Sequence, residues 1–182
     1  AGLADGVAPV VDELETAGKA APTLVVFATY YPDRSFATDD YEDDYALNRF
    51  FATTEIDTLI DAVESRYTTF ARGDTSDQSL RASRRHRAFG GFSMGATTTW
   101  DVFTLRPQYF YGYMPMAGES WIGREEEADS PRIAELVTAG VERAHYGPRD
   151  FLILASVGSQ DPALWDMTPQ IDELREDYPD LM

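Results

Sequence analysis

The run Gly91-Phe92-Ser93-Met94-Gly95 is a G-x-S-x-G sequence that directly follows a short apolar segment. That spacing suits a nucleophilic serine, which must stand exposed on a sharp turn between a strand and a helix. Small flanking residues let such a turn close without a Cβ clash. The helix that follows aims its N-terminus at the serine. The Met94 N–H can then donate to an oxyanion developing on a substrate carbonyl. The ordinary alternative is a glycine-rich strand-to-helix turn with an incidental serine.

Serine alone is a weak nucleophile and needs a histidine base, oriented by an acid. Asp161, in Gly158-Ser159-Gln160-Asp161-Pro162, follows an apolar run and is the expected acid; Asp166 is the substitute. An ordinary turn or helix-capping role is the alternative for Asp161. The base is the difficulty. Only His86 and His145 are present, and both precede Asp161. His86 lies a whole strand before Ser93, about 20 Å away at a strand's rise. His145 sits in the turn that leads into the last apolar run. Both belong to the edge of the sheet away from Ser93, where surface or capping roles suit them. Either the chain is a pseudo-enzyme or the sequence is cut short of its histidine, and truncation is the favoured expectation.

The elements that must position these groups alternate along the chain. Val7, Val10, Val11 and Leu14 mark one apolar helix face, with Gly18 as its stop. Residues 23–29 read as a buried strand. Residues 30–46 read as a loop, and 48–67 as a long amphipathic helix. Residues 74–85 read as a polar surface loop. A strand over 87–92 leads into a helix that ends before Pro107. A strand over 109–116, a helix over 125–141, a strand over 151–157 and a helix over 168–178 complete the chain. This order predicts an α/β class: a parallel sheet of about four strands with helices on both faces. The expected organisation is one domain over 1–182. Working residues in such sheets lie past the carboxyl ends of the strands, here in the loops that begin at Tyr30, Ser93, Ala117 and Gly158.

Composition limits the possible partners. The chain has 182 residues, 43% of them hydrophobic, so a sizeable core is within reach. Asp and Glu number 32 against 15 Lys and Arg, a formal charge of −17. Such a balance opposes nucleic acid and anionic membranes as partners. There are no cysteines, which removes disulfides and thiolate chemistry. No apolar run approaches the ~20 residues of a membrane span. No signal-peptide pattern opens the chain, which begins at Ala1 rather than Met.

The segment Arg85-His86-Arg87-Ala88-Phe89-Gly90-Gly91-Phe92-Ser93-Met94-Gly95 resembles the nucleophile region of the esterase D-like α/β-hydrolases. Within them it is most similar to carbohydrate esterase family 1, the feruloyl and acetyl-xylan esterases. Leu14-Glu15-Thr16-Ala17-Gly18-Lys19 with Pro22-Thr23-Leu24-Val25-Val26, the stretch from Phe51 to Tyr67, and Gly158-Ser159-Gln160-Asp161 resemble further blocks of that family. The resemblance implies an incomplete α/β-hydrolase fold. It places the family's first strands and second oxyanion donor before Ala1, and its histidine after Met182. It implies a serine esterase that acts on feruloyl or acetyl decorations of xylan-like polysaccharide through an acyl-enzyme on Ser93. The competing expectation is a non-catalytic relative that binds carbohydrate or assembles into a larger polypeptide.

The remaining features support that reading to different degrees. Tyr30, Tyr31 and Trp121 follow strand ends and could stack on an aromatic acyl group or a sugar face; packing under a surface loop is the alternative. The acidic run Asp39-Asp40-Tyr41-Glu42-Asp43-Asp44 lacks the spacing of a calcium loop and reads as solvated acid. No cofactor or metal is expected. The expected partners are a polysaccharide or small ester and other modules of a larger polypeptide. The expected location is secreted or extracellular in bacteria, with the cytoplasm as the alternative.

Overall fold

The computed structural model describes residues 3–179. They fall into two compact units divided after Asp39. In the first unit, helix α1 spans Leu3–Thr16. It stops where expected: Gly18 takes a left-handed φ of 67°, and the Lys19 N–H turns back to the Leu14 carbonyl at 2.8 Å. The stretch 21–29 forms neither helix nor paired strand, which overturns the expected strand over 23–29. Leu24, Val25, Val26 and Phe27 are exposed. A β-branched run supplies a strand's side chains, but only a neighbour supplies its ladder of hydrogen bonds.

The second unit holds the sheet. Strands β1 (Ala88–Phe92), β2 (Gly112–Met116) and β3 (Leu152–Ile153) run parallel in the order β1-β2-β3. The described sheet therefore has three strands rather than about four. β1 and β2 pair along their whole length, Phe92 opposite Met116. β3 is shorter than the apolar run 151–157 suggested, although a further bridge joins Met116 to Ser156. Helix α5 (Met94–Leu105) connects β1 to β2, and α6 (Ser130–Arg143) connects β2 to β3. Both crossovers are of the kind parallel strands require.

Alternation along the strands divides the sheet into two faces. Tyr113 and Ile153 are buried on one, in a core with Trp100, Phe103, Phe110 and Phe151. These rings meet edge to face: Phe103 lies 4.9 Å from Tyr113 and 5.1 Å from Phe151. The opposite face carries Phe92, Met114, Met116, Leu152 and Leu154. All five are exposed, Phe92 to 64% and Leu154 to 55%.

The long helix expected over 48–67 forms as three joined pieces. They are α2 (Tyr45–Phe50), one π-helical turn (Phe51–Glu55) and α3 (Ile56–Arg66). Asp44, Asn48, Ala52, Ile56, Ile60 and Glu64 are buried at every fourth position, with Phe51 buried beside Ala52. An ideal α-helix turns about 100° per residue, so a strict fourfold repeat would wander around it. The wider π turn takes up part of that drift. Asp44 is thus buried, although the acidic run it ends was expected to be solvated throughout.

Residues 77–83 form helix α4 instead of a loop. Ser76 caps it by accepting the Ser79 N–H at 3.3 Å, and Leu80 buries its side chain. Helix α6 begins at Ser130, later than expected, because Gly123 and Glu127 are left-handed and break the preceding turn. Helix α7 (Leu164–Asp177) closes the unit. Buried Glu64 pairs with Arg87 at 2.8 Å and so ties α3 to the start of β1. Among the described residues, no helix is long and apolar enough to cross a membrane.

Candidate active site

Ser93 stands between the end of β1 and the start of α5, exposed, at φ 57° and ψ −122°. A positive φ is costly for a residue with a Cβ and persists only when its surroundings enforce it. The enforcement is visible. The Ser93 N–H donates to the Met116 carbonyl on β2 at 2.9 Å. The Ser93 carbonyl accepts the Ala96 N–H at 2.7 Å and so opens α5. A Cβ placed on Gly91 would lie 2.3 Å from the Gly95 carbonyl oxygen, so the turn closes this tightly only over glycine at 91. Gly95 itself has open space where a Cβ would go.

Met94 is the first residue of α5, so no intrahelical partner takes its N–H. The Met94 carbonyl is held by two side chains. Thr98 Oγ1 donates to it at 2.9 Å, and Asn48 Nδ2, reaching across from α2, donates at 3.1 Å. The N-terminal turn of α5 therefore presents unpaired N–H groups and a partial positive charge next to the Ser93 hydroxyl.

The loop after β2 packs directly on this turn. Gly118 approaches so closely that a Cβ there would sit 2.7 Å from the Ser93 carbonyl oxygen. Trp100 Nε1 donates to the Gly118 carbonyl at 3.1 Å, and Thr97 Oγ1 donates to the Glu119 carbonyl at 3.1 Å. These bonds fasten residues 118–119 to α5 and place Trp121 just beyond. Trp121 is half-buried, and its Nε1 donates to Glu119 at 2.6 Å. Tyr45 meets its ring edge-on at 5.4 Å, Tyr41 lies 6.1 Å away, and the Arg124 guanidinium covers a face at 4.3 Å. Arg124 is itself paired with Glu42.

Asp161 lies in the turn that follows the Ser156 bridge, beyond the same edge of the sheet. Its Oδ1 accepts the Ala163 N–H at 3.0 Å. Asp166 falls in the first turn of α7. His86 lies before β1, at the end of that strand away from Ser93, with its ring stacked on Phe70 at 3.4 Å. His145 takes a left-handed φ of 60° in the turn after α6, ahead of β3. Neither ring is at the Ser93 edge. Tyr30 and Tyr31 belong to the first unit, where their rings pair at 4.5 Å.

The sequence reading missed the layer beneath the turn. Asn48 is fully buried and its Oδ1 has no partner. Asp101 on α5 is fully buried, accepts the Tyr45 hydroxyl at 3.2 Å through Oδ1, and leaves Oδ2 unpaired. Burial pushes its pKa up to about 7, against the smaller opposing effects of Arg49 and the Tyr45 bond. A polar residue amid the apolar spacing of 48–67 was the only available signal.

No protein-family model matches the chain. Endo-1,4-beta-xylanase Y of Acetivibrio thermocellus is 32% identical over 166 residues, which is 91% of this chain and 14% of that protein. One similar solved structure is a serine-to-alanine mutant of the feruloyl esterase module from Clostridium thermocellum, complexed with sinapinate. It is 34% identical with a TM-score of 0.65, over 70% of this chain and 44% of that one. A second, a structure of FAE, is 30% identical with a TM-score of 0.72, over 91% of this chain and 53% of that one. The chain thus spans about half the length of the solved structures it matches and a seventh of the curated relative.

Proposed function

Because the chain is a relative of feruloyl esterase modules and shares their α/β-hydrolase fold, we propose that it is the core of a serine carboxylic ester hydrolase acting on the ester decorations of plant cell-wall polysaccharide. The observation that carries this reading is Ser93: exposed, at positive φ, between a parallel strand and the N-terminus of α5. That geometry matches the strained turn a nucleophilic serine needs.

In this reading Ser93 Oγ attacks the ester carbonyl as a base takes its proton. The Met94 N–H stabilises the oxyanion, the alcohol leaves with the proton, and water releases the acid from the acyl-serine. Asp161 orients the base. His86 and His145 sit at the wrong end of their strands, so the base is assigned to neither. Trp121, beside the Ser93 turn, receives an aromatic acyl group, which favours feruloyl over acetyl esters. An extracellular setting, within a polypeptide carrying other modules, follows from likeness to a xylanase.

The test is active-site labelling. The intact protein, treated with a fluorophosphonate and digested, should carry one adduct, on Ser93, and Ser93→Ala should remove it together with esterase turnover. An adduct at another residue, or undiminished turnover by Ser93→Ala, overturns the reading.

A further inference from the structure

We infer that Asn48 is a positioning residue for the Ser93 turn, acting through the Met94 carbonyl; the inference rests on Ser93 and Met94 having the roles proposed above. Its ground is a buried side chain spent on one contact. Asn48 is fully buried on α2, and its amide donates to the carbonyl of the residue that follows Ser93. Its Oδ1 is left without a partner. An unpaired buried acceptor is a cost that an aliphatic side chain of the same volume would not incur. Packing alone therefore does not explain an amide at this position, but the bond to Met94 does.

The Met94 N–H is bracketed by two fixed points. Upstream, the Ser93 N–H is held by the Met116 carbonyl. Downstream, the Met94 carbonyl is held by Asn48 and Thr98. With both neighbours of the donor pinned, its direction is set before substrate arrives. Such preorganisation favours the transition state without a reorganisation cost during the reaction. Thr98 lies on α5 and moves with it. Asn48 alone of the two ties the turn to a different helix. Tyr45, one turn earlier on α2, reaches α5 at Asp101 and fixes the same helix at a second point.

Two variants separate positioning from structure. Asn48→Leu removes both the donor and the unpaired acceptor, and Asn48→Ser removes most of the reach. In the intact protein, Asn48→Leu should melt no lower than the parent. Its kcat should fall roughly 10- to 100-fold, less than the loss on removing an oxyanion donor outright, with KM within about twofold as expected for an interaction made only in the transition state. Fluorophosphonate labelling of Ser93 should slow in parallel. Asn48→Ser supplies the same comparison should the leucine variant fail to fold. A variant that folds and keeps parental kcat and labelling rate overturns the inference while leaving Ser93 in place. A loss of kcat that only tracks a fall in melting temperature, or a change confined to KM, overturns it too. Undiminished turnover by Ser93→Ala, run alongside, removes the underlying reading and this inference with it.

Discussion

Gly91 and Gly95 cross so closely that a Cβ on the first would lie 2.3 Å from the carbonyl oxygen of the second, whereas a Cβ on the second would meet nothing within 4 Å. The two glycines of the G-x-S-x-G run therefore have different duties. Gly91 is the contact that allows the backbone to fold back over itself. Gly95 occupies the first turn of a helix with room to spare.

Gly91→Ala should destabilise the protein by about 1–3 kcal/mol, since an overpacked site must shift backbone rather than a flexible side chain. Gly95→Ala should be neutral or stabilising by up to about 1 kcal/mol through helix propensity. Paired urea denaturation of the two variants checks this. Equal losses would show that the asymmetry of the turn is wrong.

Asp101 makes stability depend on pH in an unusual direction. Its carboxyl titrates near 7 when folded, against 3.8 in its ordinary state. Between about pH 4 and 7 the folded protein holds a proton that the unfolded chain has lost. The stability contributed by this group is therefore complete below pH 4 and declines as pH rises towards 7, at a slope of at most about 1.4 kcal/mol per unit. Asp101→Asn has no such titration. Denaturant midpoints at pH 5, 6, 7 and 8 should show the variant gaining on the parent up to about pH 7 and then running parallel. A constant difference would mean that Asp101 titrates normally.

Trp121→Ala should lower kcat/KM for methyl ferulate about ten- to a hundredfold more than for an acetate ester. A buried ring contributes roughly 1.5–3 kcal/mol through its apolar surface. The comparison is made in the intact protein. Equal effects on the two esters would mean that the indole serves only its Tyr45 and Arg124 contacts.

What the sequence made legible was what short-range patterns encode. β1, α5 and the turn at Ser93 were readable because an apolar run, two glycines and a helix start lie within a dozen residues. α1 ended at Gly18 because a left-handed stop is a local requirement. The misses were of two kinds. Residues 23–29 have a strand's side chains but no paired neighbour, and pairing is a property of two segments. Helix α4 was hidden by its polarity, although Ser76 three residues ahead of Ser79 was an available capping signal. Of the candidate site, Ser93 and Met94 could be named from spacing. Asn48 could not, because its one side-chain bond runs to a carbonyl 46 positions away.

The π turn at Phe51–Glu55 sets how the chain tolerates changes in length. Deleting one residue there would restore ordinary helical pitch and leave α3 continuous, a change that looks mild on paper. It is mild in geometry too: a π turn holds one residue more than an α turn for nearly the same rotation, so α2 would keep its facing relative to α3, and Asn48 and Tyr45 would stay turned towards α5. Deleting a residue from α2 or α3 proper would instead rotate one helix against the other by about 100° and swing both side chains away. A single-residue deletion within Phe51–Glu55 should therefore cost less than one on either side of it. In the relatives of this chain, one-residue differences in length should fall in this turn rather than in the helices that flank it.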